Sequence, residues 1–241
     1  MTELASFLIL AILPSFIWLV YFLEKDNEPE PKIRLLSVFL LGCLFAGLAA
    51  NIQAPLRGFI YSSEVTRVSL FWDYLFAVAF LEELAKLIAV LVGVFMLGVR
   101  DLDEPIDFII YMVTAGLGFA ALENYIYFSR ASSEIITELA FLRFGITTLF
   151  HALVAGITGY FLALAIRKIR LSYLLFGLLL STLVHAAYNL IISLGASTGS
   201  VFHSTLLLAF ILGLTLILFK SIKRVKKMKG VCKPEFDFTP K

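Results

Sequence analysis

The sequence predicts an all-α, polytopic membrane protein with about seven transmembrane helices, on the evidence of its composition and its apolar runs. Hydrophobic residues make up 60% of the 241 residues and charged residues only 16%, whereas soluble domains are roughly 45–50% apolar and about 25% charged. A helix needs about 20 residues to cross a hydrocarbon core of about 30 Å. Seven apolar runs come close to this length or exceed it: 4–23, 35–53, 71–98, 106–128, 141–166, 171–194 and 202–219. We therefore expect a multi-pass protein of the cell membrane.

The distribution of positive charge predicts how these helices are oriented. Of the 20 lysines and arginines, 15 lie in connections or in the tail that would share one side of the membrane, and 4 lie on the other side. Cytoplasmic segments carry the excess of Lys and Arg, so the N-terminus is predicted outside and the C-terminus in the cytoplasm. We expect the first run to be retained, because no small-residue cleavage site follows it. Residues 1–223 would form one transmembrane domain, and 224–241 a basic cytoplasmic tail.

Several polar residues near the ends of the runs are expected to lie at the membrane surface. Gln53 and Asp73 fall at the outer ends of the second and third runs, and Arg143 is counted with the outer connection before the fifth run. The basic tail is predicted to attract anionic lipid of the bilayer. No nucleic-acid partner is expected.

Three ionisable residues inside the third run require an explanation. Glu82, Glu83 and Lys86 lie within five residues of each other in an otherwise apolar segment. One such group near the centre of a bilayer costs between about 2.5 and more than about 10 kcal/mol. Lys86 follows the two acids by one helical turn, so it can supply the counter-charge for one of them. The presence of the other acid must then be explained by a partner on a different helix or by a role in function.

Candidate partners occur on the next three runs. Glu123 lies in the fourth run, His151 in the fifth, and His185 and Asn189 in the sixth. Counted from the outer ends of their runs, Glu82, Glu123, His151 and His185 are roughly five to eight residues deep, which places them within about 5 Å of one another in depth at 1.5 Å per residue. The sequence therefore predicts one polar site in the outer half of the bilayer.

Glutamates and histidines in a membrane suit two kinds of chemistry. In hydrolysis, a carboxylate activates water while the other groups bind a metal such as zinc or stabilise an oxyanion without metal. In a transporter or proton channel, the same groups relay protons. Composition and spacing leave both open, together with a third interpretation in which the polar cluster only holds the helices of a scaffold together. Glycine-rich phosphate loops and the GxSxG and HExxH motifs are missing from the sequence, which disfavours nucleotide hydrolysis, serine hydrolases and zincins.

Four short motifs occur in order on successive helices. They are Glu82-Glu-Leu-Ala-Lys86, Phe119-Ala-Ala-Leu-Glu123, Phe150-His151 and His185-Ala-Ala-Tyr-Asn189. With the proline-rich segment Glu28-Pro-Glu-Pro31, they make nearly the whole chain resemble the PrsW family of intramembrane proteases, which is related to the CAAX prenyl endopeptidase superfamily. That superfamily commonly has histidine at the position of Glu123 and arginine at that of Lys86.

The resemblance implies an activity, a substrate and roles for the site residues. The activity is intramembrane cleavage of a single-pass membrane protein, such as an anti-sigma factor, on its extracytoplasmic side as a step in a stress response. Glu82 or Glu83 would be the general base on water. His151, His185 and Glu123 would be metal ligands, with zinc as the expected metal, or transition-state stabilisers, and Asn189 would assist.

We therefore predict an intramembrane endopeptidase with its site among the third to sixth helices. The catalytic candidates are Glu82, Glu83, Glu123, His151, His185 and Asn189, and the metal candidates are His151, His185 and Glu123. The alternative is a transporter or proton channel. Transporters often pair Gly- or Pro-broken helices in matching halves of the chain, and this sequence lacks such a pair.

Overall fold

The computed structural model describes residues 2–26, 28–60, 67–97 and 104–228, and helices account for nearly all of this part of the chain. Two π-helical stretches, Asp73–Phe80 and Arg143–Thr147, join α3 to α4 and α6 to α7 without a break. The α-helices are α1 (Thr2–Leu23), α2 (Lys32–Ile60), α3 (Arg67–Trp72), α4 (Leu81–Leu97), α5 (Asp107–Arg130), α6 (Ile136–Leu142), α7 (Thr148–Lys168), α8 (Leu171–Thr198) and α9 (Val201–Val225).

The predicted all-α, multi-pass architecture is confirmed. In the described residues, six helical segments are long and apolar enough to cross a membrane: Ala5–Leu23, Lys32–Leu56, Asp107–Arg130, Ile136–Lys168, Leu171–Thr198 and Val201–Val225. The remaining predicted segment, 71–98, is helical without interruption from residue 67 to residue 97. It differs from the other six because it contains Asp73, Glu82, Glu83 and Lys86. Residues 101–103 and 229–241, which include most of the predicted basic tail, lie outside the described part.

Two helices, α5 and α7, form the centre of the bundle. In the most apolar windows of the segments that contain them, 78% of residues are buried, against 22% in α1 and in α9. Helix α5 contacts α1, α2, α4 and α7, while α8 and α9 pack against α7. A helix that is apolar on all sides is suited to such a central position. The site residues on α5 and α7 are therefore held in the most deeply buried of the apolar segments that the structure describes.

Helices α2 and α5 approach each other closely through glycines. A Cβ atom added to Gly118 would lie 2.1 Å from the carbonyl oxygen of Phe39, and one added to Gly42 would lie 2.3 Å from that of Ala115. Small residues at helix contacts let membrane helices pack backbone to backbone. This contact fixes α5, and with it Glu123, relative to α2.

Replacing Gly118 with valine is expected to destabilise the bundle, because the added side chain would overlap the backbone of α2. Overpacking of this kind costs about 1–3 kcal/mol, and backbone clashes cost more. Thermal unfolding of the purified protein in detergent measures the effect. Gly213→Val is the matched control, since no described atom outside its own helix lies within 4 Å of a Cβ added there. Equal melting temperatures for the two variants would contradict this packing.

The loop between α1 and α2 is anchored to α5. Glu30 is buried and accepts a hydrogen bond from the hydroxyl of Tyr111 on α5. Burial raises the pKa of the Glu30 carboxyl above its ordinary value. The proline-rich segment Glu28–Pro31 thus does more than reverse the chain, because it ties α1 and α2 to the central helix.

Candidate active site

A cavity of about 910 Å³ opens among α2, α4, α5, α6, α7, α8 and the two π-helical stretches. Five of the six predicted catalytic residues line it: Glu82, Glu123, His151, His185 and Asn189. Small residues on α2 and α8 form part of its wall, including Ala46, Ala50, Ala54, Ser193 and Ala196. The cavity therefore joins a polar floor to a wall that includes small side chains from two helices.

Glu82, His151 and His185 form the floor of this cavity and are buried. Each offers one ligand atom, and the three atoms lie within 4.8 Å of one another. The His185 Nε2 and Glu82 Oε2 atoms are 3.6 Å apart. Glu82 Oε2 and His151 Nδ1 are buried and have no hydrogen-bond partner in the described structure. Buried polar atoms are normally paired, so these two atoms mark a place for a ligand.

A carboxylate behind each histidine fixes the orientation of its ring. Glu123 Oε2 lies 2.9 Å from His151 Nε2, and Glu83 Oε1 lies 2.7 Å from His185 Nδ1. A neutral histidine beside a carboxylate donates its N–H to that carboxylate. We therefore assign the protons to His151 Nε2 and His185 Nδ1, which leaves His151 Nδ1 and His185 Nε2 as the lone-pair atoms.

Glu83 and Lys86 form the ion pair that the spacing of α4 allows. Lys86 Nζ donates to Glu83 Oε1 over 2.6 Å, and both side chains are completely buried. The same oxygen accepts from His185. Of the two adjacent glutamates, Glu82 thus faces the cavity, and Glu83 lies behind it with the counter-charge.

Arg143 belongs to the site, although its position in the sequence suggests the outer connection. Its side chain is 6% exposed. Its Nη2 donates to Glu123 Oε2 over 2.7 Å, and its Nε donates to Asn124 Oδ1 over 2.5 Å. The guanidinium lies 4.1 Å from the ring centre of Tyr127. The signal was available in the sequence, because Arg143 falls inside the apolar run 141–166 and a charge there needs a partner.

Gln53, which the sequence predicts at the membrane surface, also belongs to the site. Its Nε2 donates to Glu82 Oε1 over 3.0 Å, and the side chain lines the cavity. The apolar run ends at residue 53, but α2 continues to Ile60, so Gln53 lies within the helix and not at its end. Asp73, predicted at the surface as well, is fully buried in the π-helical stretch before Glu82.

Aromatic rings support the two histidines. Phe150 stacks on Tyr188 with ring centres 3.7 Å apart, and it meets His185 edge to face with ring centres 5.1 Å apart. The Tyr188 hydroxyl donates to Thr147 Oγ1 over 3.0 Å. Phe119 stacks on His151 at 5.7 Å. These contacts hold the rings while their lone-pair nitrogens stay available.

Both π-helical stretches lie one turn or less before a site residue. Asp73–Phe80 precedes Glu82, and Arg143–Thr147 precedes His151. A π-helical turn inserts an extra residue and so rotates the following residues around the helix axis, and such turns are frequent at functional sites. The stretches determine which face of α4 and α7 meets the cavity.

The chain is similar to known proteins over most of its length. A family model described as PrsW family intramembrane metalloprotease matches residues 30–217. The protease PrsW of Oceanobacillus iheyensis is 32% identical over 194 residues, which cover 78% of this chain and 83% of the relative. That of Geobacillus kaustophilus is 28% identical over 228 residues, covering 93% and 92%. That of Bacillus subtilis is 31% identical over 186 residues, covering 76% and 80%. No solved structure matches the chain.

Proposed function

Because this chain belongs to the PrsW family of intramembrane metalloproteases, it is a membrane-embedded protease, and we propose that it cleaves a membrane-anchored protein at the cavity over Glu82, His151 and His185. The observation that carries the proposal is the convergence of these three donor groups, from three helices, at the floor of that cavity. Family membership also decides between the two function classes that composition leaves open, in favour of the protease.

We propose that Glu82, His151 and His185 hold a zinc ion. The donors fit zinc, which favours histidine nitrogen and carboxylate oxygen in catalytic sites with an open position. Glu82 Oε2 and His151 Nδ1 are buried without a partner, and each histidine has the carboxylate partner that is typical of a ligating histidine. Zinc bound there would supply a Lewis acid that polarises the scissile carbonyl group.

The histidine tautomers favour the metal over a metal-free mechanism. Without metal, the histidines would have to donate hydrogen bonds to the oxyanion. With the protons assigned to the nitrogens that face Glu123 and Glu83, the remaining nitrogens are acceptors. Acceptors can bind a metal ion but cannot stabilise an oxyanion.

Glu123 has a different role in this proposal from the one that the sequence suggests. Its Oε2 is engaged by both Arg143 and His151, so Glu82 replaces it as the third ligand. Besides Glu82, Glu123 is the carboxylate in the described lining of the cavity, and its side chain is 23% exposed. We assign to its Oε1 the proton taken from the attacking water. We assign to Asn189, which lies one turn after His185 and lines the cavity, a contact with the substrate backbone.

The proposed substrate is a single-pass membrane protein that is cut on its outer side. The site lies in the half of the bundle predicted to be extracytoplasmic, and the cavity reaches Arg130 and Ser197 at that end of α5 and α8. An anti-sigma factor is the specific substrate class that we propose, following the resemblance of the motifs to this family.

A zinc determination on purified protein tests the metal proposal. We expect about one zinc ion per chain in the wild type and a loss of zinc in His151→Ala, because one of three ligands is removed. His203→Ala is the matched control, since His203 hydrogen-bonds Thr198 near the chain turn between α8 and α9 and does not line the cavity. Full cleavage by wild-type protein that contains no zinc would contradict the metal assignment without contradicting the protease.

A further inference from the structure

We propose that a second cavity, at the opposite end of the bundle, binds the phosphate group of an anionic phospholipid. This cavity has a volume of about 510 Å³. It lies between the end of α7, the start of α8 and the end of α9, and is lined by Tyr160, Phe161, Leu164, Arg167, Lys168, Tyr173, Arg224 and Met228. In the described structure, none of these residues belongs to the proposed protease site.

The charge of the lining favours an anion. Arg167, Lys168 and Arg224 line the cavity, and no acidic residue is among its described lining. The side chains of Lys168 and Arg224 make no ion pair with the described residues. Three cations from two helices therefore surround one concave space. Arginine and lysine in this arrangement are typical ligands of phosphate.

The position and the other walls favour a lipid as the source of the phosphate. The cavity lies at the ends of α7 and α9 that are predicted to be cytoplasmic, where anionic lipid headgroups are located and where basic pockets between helices bind them. Phe161, Leu164 and Met228 offer an apolar wall for the glycerol and the first acyl carbons, and Tyr160 and Tyr173 are residues typical of the interface. The volume falls in the range of small-ligand pockets, about 300–1,000 Å³.

The left-handed turn between α7 and α8 shapes this cavity. Ile169 has a φ of 53°, and the next helix begins at Leu171. This tight connection brings Arg167 and Lys168 of α7 close to Tyr173 of α8, so that all three line the same space. The backbone of this connection therefore determines where Arg167 and Lys168 lie relative to the cavity.

Lipid binding to the purified full-length protein in neutral detergent tests the proposal. The probes are short-chain phosphatidylglycerol, short-chain phosphatidylcholine and inorganic phosphate, with the shift in melting temperature as the signal. We expect phosphatidylglycerol to bind in preference to the other two. Lys168→Gln with Arg224→Gln should weaken that binding about 25-fold, since each charge near the surface contributes about fivefold. Each single substitution should weaken it about fivefold.

Lys223→Gln is the matched control, because Lys223 is an exposed cation on the same end of α9 but does not line the cavity. An unchanged affinity in this variant supports a specific site. Equal weakening by Lys223→Gln would overturn the proposal in favour of diffuse surface charge. Inorganic phosphate that binds as tightly as phosphatidylglycerol would overturn the assignment to lipid, and equal binding of phosphatidylcholine would overturn the assignment to an anion.

Discussion

Replacing Glu82 with glutamine is expected to abolish proteolysis and to remove zinc while leaving the fold intact. Glutamine keeps the size of the side chain and its oxygen can still accept the hydrogen bond from Gln53, which is 3.0 Å long in the native protein. The amide is a poor zinc ligand. Losing a ligand should lower zinc affinity by more than the roughly 10–100-fold that is typical when only the hydrogen-bond partner of a ligand is removed. Cleavage of a co-expressed, membrane-anchored anti-sigma factor, followed by immunoblot, measures the activity.

Glu83→Gln is the comparison that separates the two adjacent acids. It would leave Lys86 without its counter-charge although both side chains are completely buried. Removing one partner of a buried ion pair costs about 3–5 kcal/mol. We therefore expect Glu83→Gln to lower the melting temperature strongly, whereas Glu82→Gln should melt close to the wild type.

Two outcomes would count against this division of roles. Retention of zinc and of cleavage in Glu82→Gln would remove Glu82 from the site. A normal melting temperature for Glu83→Gln would show that the Lys86 pair is not structural. A third outcome would reassign the activity of this chain. It is that the wild type cleaves no candidate substrate but conducts protons in proteoliposomes.

The parts of the site that the sequence predicts are those whose cost in a membrane is highest. Glu82, Glu83, Lys86 and Glu123 are charged groups in long apolar runs, so their presence alone indicates a function or a partner. Helical rise then places Glu82, Glu123 and His151 at one depth, and the structure brings them together. Depth is predictable because α-helical rise is nearly constant.

Residues at the ends of apolar runs could not be assigned in the same way. Hydropathy marks where an apolar run ends, not where the helix ends, so Gln53 on the extended α2 looks like a surface residue. The choice between Glu82 and Glu83 depends on the angular position of α4 around its axis. The π-helical stretch Asp73–Phe80 alters that angle, and no sequence pattern predicted this stretch. Which of the two glutamates faces the cavity therefore depends on the packing of several helices at once.

Replacing Glu123 with glutamine is expected to separate proton transfer from metal binding. If Glu123 Oε1 takes the proton from water, kcat should fall by about 10²–10⁴-fold, the usual contribution of a general base. Glu123 also orients His151 through a 2.9 Å hydrogen bond, so zinc affinity should fall about 10–100-fold. The assay is therefore run at saturating zinc, with zinc content and cleavage measured on the same sample.

The role of Glu123 as base predicts that saturating zinc will restore occupancy but not turnover. If Glu123 only orients His151, full occupancy should restore cleavage, and that recovery would contradict the base assignment. Glu138→Gln is the matched control, because Glu138 is an exposed carboxylate on α6 and does not line the described cavity. Arg143 and His151 both contact Glu123 Oε2, so Oε1 is the oxygen that we propose for the water. In the proposed arrangement Glu82 binds the metal, Glu83 supplies the counter-charge and Glu123 takes the proton. The main defect should therefore differ among the three variants: zinc binding for Glu82→Gln, melting temperature for Glu83→Gln and turnover at saturating zinc for Glu123→Gln.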